Sequence, residues 1–126
     1  MKHYLSIAII SLLAFSCKKN TEHDIIGTWE RIMVENYDAN YTEDWIIDND
    51  HIYIIQTNKD NGHSDTTDQG TYIVKAGLTK KIIRTNGFRF AWFNNLDWKI
   101  EKLKGGQLIM FSDRDNYFLY YEFVKK

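Results

Sequence analysis

Few residues in this chain are able to do covalent or metal chemistry, and their spacing argues against most of it. Cys17 is the only cysteine in 126 residues, and it ends an apolar N-terminal run. Beyond that run the serines are Ser64 and Ser112. Neither lies in the Gly-x-Ser-x-Gly context that exposes a nucleophile on a sharp strand-to-helix turn. His23, His51 and His63 are scattered, without the His-x-His or His-Glu-x-x-His spacing that brings two imidazoles to one metal ion. Glu43 and Asp44 adjoin, so in a strand they point to opposite faces and form no acid/base dyad by local geometry. Asp48, Asp50 and His51 make an acidic turn able to hold a cation, and residues 58–68 (NKDNGHSDTTD) superficially follow a calcium loop. With Gly62 at the sixth position of such a loop, Lys59 falls at the third, where an oxygen ligand is required. Both segments read as solvated hairpin turns. The expectation is a non-enzymatic protein with no catalytic residues, no metal and no cofactor.

What chemistry remains centres on Cys17. Met1 to Cys17 (MKHYLSIAIISLLAFSC) begins with Lys2, continues through an apolar core from Tyr4 to Phe15, and ends with small Ser16 before the cysteine, the physical order of an export signal. The apolar core is shorter than the roughly 20 residues a spanning helix needs, and Lys18 and Lys19 follow at once. The stretch resembles the bacterial lipobox, which implies diacylation of Cys17 and cleavage before it; a plain secretory signal and a buried helix are the alternatives. Each buried methylene contributes about 0.8 kcal/mol, so two or three acyl chains hold a protein on a membrane where one chain binds reversibly. The resemblance further implies a cell-envelope protein of a Gram-negative cell, lipid-anchored in the outer membrane and facing the periplasm. Lys18 is not the aspartate that commonly retains lipoproteins in the inner membrane. Surface exposure is the alternative orientation. Residues 1–16 are then the signal, 17–24 (Cys17 plus KKNTEHD) a lipidated polar tether that packs against nothing, and 25–126 one domain.

Charge and composition narrow the partners. The net charge is −1, and loss of Lys2 with the signal lowers it by one unit. Lys18-Lys19, Lys80-Lys81 and Lys125-Lys126 are the remaining basic pairs, too dispersed for the basic stripe that nucleic acid requires. With its one thiol carrying lipid, the domain has no disulfide and is held by packing alone.

From Ile25 onward, runs rich in Ile, Val, Thr, Tyr, Phe and Trp alternate with turn residues, the pattern of an all-β domain. Candidate strands are Ile26–Glu35, Glu43–Asp48, His51–Asn58, Thr66–Lys75, Lys81–Thr85, Phe88–Phe93, Asp97–Leu103, Gln107–Ser112 and Tyr117–Val124. Asn61-Gly62, Asn86-Gly87, Asn94-Asn95 and Gly105-Gly106 can supply the positive φ of tight hairpin turns. Asp48–Asp50 and Asp113–Asn116 read as longer polar turns. Successive hairpins predict an up-and-down antiparallel meander, and closure into a barrel of about eight strands removes its exposed edges. The absence of proline fits unbroken ladders. Asn36–Thr42 reads as a lid or short helix at one barrel mouth.

Gly27-Thr28-Trp29, at the start of the first strand, and Gly70-Thr71-Tyr72 resemble recurring elements of the small bacterial lipocalin-like lipoproteins. The layout from lipid cysteine to final aromatic strand is similar to that group end to end. The resemblance implies a lipocalin-like barrel in which Trp29 plugs the closed end and a cavity opens at the other. Arg114 is the nearest counterpart, by order, of the arginine that packs on that tryptophan. Alternation places Leu96, Trp98 and Ile100 on one strand face, and places Phe88, Phe90 and Trp92 together on another. A ligand-binding face of Trp29, Phe90, Trp92, Trp98, Met110 and Tyr121 follows from strand parity. Two functions fit: a lipid-anchored module binding a small apolar ligand inside the barrel, or an envelope protein-interaction module, of inhibitor or immunity type, using outward aromatics. An eight-stranded barrel is only wide enough to be filled by its own side chains or to hold one small ligand.

Overall fold

The computed structural model describes residues 2–33 and 39–126, of which 2–6 and 14 are described by their backbone alone. A helix, α1 (Lys2–Asp24), leads into eight strands: β1 (Gly27–Ile32), β2 (Tyr41–Ile47), β3 (His51–Asn58), β4 (Ser64–Ala76), β5 (Lys81–Asn86), β6 (Leu96–Lys104), β7 (Gln107–Arg114) and β8 (Tyr117–Lys125). Each strand pairs antiparallel with the next, and β1 pairs with β8 to close the barrel. The all-β meander read from the sequence is the observed architecture.

Hairpin chemistry follows the local sequence closely. Gly105 and Gly106 both have positive φ, as do Asp115 and Asn116, which makes two-residue turns between β6 and β7 and between β7 and β8. The second turn is thus tighter than the expected Asp113–Asn116, because Asp113 and Arg114 still pair with Phe118 and Tyr117. Of the 36–42 segment, Tyr41 and Thr42 belong to β2, and 36–38 lie outside the described residues. Val34 and Glu35, expected at the end of the first strand, also lie outside them.

Two register irregularities re-aim side chains. On β4, Ile54 pairs with Asp68 while Ile55 pairs with Thr66, leaving Thr67 as the extra residue; its hydroxyl donates to the Ile54 carbonyl. On β6, Ile100 and Lys102 pair with consecutive residues of β7, so Glu101 is passed over. A bulge of this kind changes which residues face inward beyond it. From Asp68 onward, regular alternation puts Asp68, Gly70, Tyr72 and Val74 on the interior face.

The largest departure from expectation is Phe88–Phe93. It is not a strand: β5 ends at Asn86, and the chain makes an excursion with a single 3-10 turn at Ala91–Phe93 before β6. Residues 18–24 also differ from a free tether. They continue α1, and Thr21 is buried on the barrel. Its hydroxyl donates to the Cys17 carbonyl, and its own carbonyl accepts the Ile25 N–H, so the last turn is satisfied where it docks.

Candidate functional site

Antiparallel alternation gives the barrel two ends. One carries the 48–50, 77–80 and 105–106 turns and receives α1; the other, the mouth, carries the 59–63 and 115–116 turns and the 87–95 excursion. At the first end Trp29 is buried and donates its indole N–H to the Ile25 carbonyl at 2.8 Å. The cation on its ring is Lys125, 5.4 Å from the centroid. Arg114 instead lies at the mouth, donating to the Asn94 and Asn95 carbonyls.

The interior is filled with rings. Trp45, in the middle of β2, contacts Phe93, Trp98, Tyr121 and Phe123 at centroid distances of 6.0, 6.1, 5.8 and 5.1 Å. Of the six residues expected to line a cavity, Trp29, Trp98, Met110 and Tyr121 are buried in this core. Phe90 and Trp92 are not: they are 53% and 52% exposed on the excursion. Strand parity failed there because the segment has no strand to impose alternation; Phe88 and Phe93 are its buried pair.

Two side chains from the barrel wall, and one from the excursion itself, hold that excursion across the mouth as a cap. Asp68 is only 2% exposed, and its carboxylate accepts the backbone N–H groups of Arg89 at 2.9 Å and Phe90 at 3.1 Å, besides that of Gln69. Asn94 brackets Phe88 with its amide, accepting the N–H and donating to the carbonyl. Thr85 donates to the Phe93 carbonyl and accepts the Trp98 indole N–H. Gly70 makes the room: a Cβ there would sit 2.3 Å from the Phe88 ring and 2.6 Å from the Asn86 carbonyl oxygen. The Gly70-Thr71-Tyr72 element thus has a local reason, the close approach of Phe88.

Between this cap and the β7–β8 hairpin lies a cleft of about 470 Å³, floored by Leu96, Ser112 and Leu119 and walled by Trp92 and Tyr117. Trp92 stacks on Phe93 at 5.7 Å with an interplanar angle of 19°, which leaves its other face toward solvent. Arg114 and Asp115 supply the polar edge, and the guanidinium Nε donates to the Asp115 carboxylate. Ser112 is 2% exposed, and its hydroxyl has no hydrogen-bond partner among the described residues. Sequence reading missed Ser112, Arg114 and Tyr117 as a group, since only barrel closure and the cap bring them beside Trp92.

A second polar cluster is inside the wall near the mouth. Glu43 accepts from Arg31 and from the Trp45 indole, both at 3.1 Å, and Arg31 lies 3.7 Å above the Tyr121 ring. Charges so little exposed need such partners. On the outer wall Phe111, Phe118 and Tyr120 form a ring patch, with centroid distances of 5.9 and 6.5 Å.

Asp48, Asp50 and His51 are the one group among the described residues with ligand atoms close enough, within 4.8 Å, to share an ion. The Asp48 carboxylate already accepts the backbone N–H groups of Asp50 and His51, and those bonds hold its pKa below the ordinary carboxylate value. It is the cap of a hairpin turn. Beside it, Tyr72 donates to the Asp48 carbonyl; burial, with the nearby negative charges of Asp48, Glu22 and Asp50, pushes the phenol up to about 12.

No protein-family model, no curated protein and no solved structure matches this chain.

Proposed function

We propose that this protein is a non-enzymatic, lipid-anchored binding module of the cell envelope, lipocalin-like in layout, that binds at the mouth cleft and not inside the barrel. The observation that carries the location is the filled interior: Trp45, Trp98, Tyr121, Phe123 and the Phe93 plug occupy the axis, while the cleft keeps open volume, exposed aromatic faces and a few polar groups. That mixture is the usual makeup of a small-ligand site.

Anchoring through Cys17 is supported by where packing begins. Ile7, Ile9, Ile10, Leu12, Leu13 and Phe15 are exposed on α1, whereas burial starts at Thr21, just beyond Cys17. Among the described side chains, cleavage before Cys17 would remove none that is buried. Among the described residues no helix is long and apolar enough to cross a membrane. The anchor then holds the Trp29 end of the barrel and presents the mouth away from the lipid.

A protein partner on the outer wall is the second reading, favoured by the exposed Phe118 and Tyr120. Native mass spectrometry of the protein purified from its own membranes separates the two. Loss of a co-purifying small molecule in Trp92→Ala, with retention in Phe118→Ala/Tyr120→Ala, supports the mouth; a bound protein lost only in the double variant places function on the outer wall. Unchanged lipid labelling of Cys17→Ala would remove the anchor.

A further inference from the structure

We infer that the mouth cleft takes a neutral sugar ring, a hexose or N-acetylhexosamine unit of an oligosaccharide, with Trp92 as its stacking platform and the Ser112 hydroxyl, on the cleft floor, as its hydrogen-bond partner. The inference rests on the mouth-cleft reading and adds the ligand class.

Four features select that chemistry. Trp92 is held flat by its stack on Phe93 and offers one open aromatic face. Aromatic faces are electron-rich, and the carbon-bound hydrogens on one side of a pyranose ring meet such a face well. Ser112 places a hydroxyl without a partner among the described residues on the floor. An apolar ligand would shut it off from water unpaired, which is unfavourable, whereas a ligand hydroxyl can donate to it or accept from it. Arg114 and Asp115 contribute opposite charges to one edge, so the site offers donors and acceptors with no net charge. An anion would meet Asp115 and a cation would meet Arg114. Finally, the barrel is closed, so a peptide finds no free strand edge to extend, the main source of backbone affinity in strand-type peptide recognition.

The four tryptophans make the test direct. The indole N–H groups of Trp29, Trp45 and Trp98 are bonded inside the protein, while Trp92 is half exposed. In nitrogen–proton correlation spectra of the full chain in detergent, titration with maltotriose, xylotriose or N,N′,N″-triacetylchitotriose should move the Trp92 indole signal saturably and leave the other three in place. By ligand-observed saturation transfer, Ser112→Ala should weaken binding about tenfold, the equivalent of one hydrogen bond. Trp92→Ala and Tyr117→Ala, both at exposed positions, should weaken it by about tenfold or more through lost ring contact, and Phe118→Ala should leave it unchanged. A Trp92 signal that stays still with all three neutral trisaccharides at tens of millimolar overturns the inference, as does an equal response to trigalacturonate. A saturable shift with Ala-Phe-Ala and none with the sugars overturns the ligand class while leaving the mouth cleft as the binding site. Trp92 insensitive to every probe, together with partner loss only in Phe118→Ala/Tyr120→Ala, overturns both.

Discussion

Asp68→Ala should release the cap from the barrel mouth. The carboxylate bonds to Arg89 and Phe90 across the gap between β4 and the excursion, and hydrogen bonds to a charged acceptor contribute about 1.5–3 kcal/mol each. Two of them set a cost of about 3–6 kcal/mol if the cap stays docked over unpaired donors. That cost has a ceiling. Lifting the cap returns both amides to water and exposes Phe88 and Phe93, at about 1.5–3 kcal/mol per side chain, a similar sum. The expected result is therefore a loss of about 3–4 kcal/mol in urea unfolding, with hydrogen exchange at Arg89 and Phe90 accelerated more than in β3 or β7, because the variant opens locally before it unfolds. Asp68→Asn retains one acceptor oxygen and should lose about half as much. Unchanged protection of both amides, with an unfolding free energy within about 0.5 kcal/mol of the parent, the range of an inert surface change, would refute the assignment of Asp68 as the pin.

Phe93→Ala removes the ring that meets Trp45, Phe88 and Trp98; it should cost about 3–5 kcal/mol and leave an apolar void that accepts benzene or xenon, detectable by chemical-shift changes at Trp45 and Trp98. Tyr72, with its phenol at about 12, should ionise in an ultraviolet titration well above the ordinary tyrosine value of about 10. Because the native pKa is the raised one, the contribution of Tyr72 to stability is complete below about pH 10 and is lost as pH rises toward 12; an unfolding free energy that climbs across that window would contradict it. The Asp97 carboxylate, held down by the Arg84 guanidinium at 2.6 Å, should titrate at higher pH in Arg84→Ala when followed by carboxyl-carbon NMR. Its native pKa is depressed, so the pair stabilises above the ordinary aspartate range and loses that contribution as pH falls through the native value.

The sequence by itself determined the architecture. Strand limits such as His51–Asn58 and turns such as Gly105-Gly106 are local: β-branched and aromatic alternation and positive φ act over a few residues, and they were legible without any partner. The inward set of β6, Leu96 and Trp98, was legible for the same reason. Only the tertiary structure decided what Phe88–Phe93 does. FRFAWF has the composition of a strand, but Asp68 of β4 and Thr85 of β5, together with Asn94 of the excursion itself, take up its backbone groups, and Phe88 and Phe93 turn inward. Trp45 became the centre of the core because closure sets β2 opposite Trp98, Tyr121 and Phe123, a relation with no local signature. The cleft belongs to the same class. Trp92, Ser112 and Tyr117 are separated along the chain and share a site only because a cap that no residue pattern announces lies beside the last hairpin. Local chemistry fixes strands and turns over short stretches, whereas the space inside and above a barrel depends on every strand at once, and small shifts of register exchange what faces it.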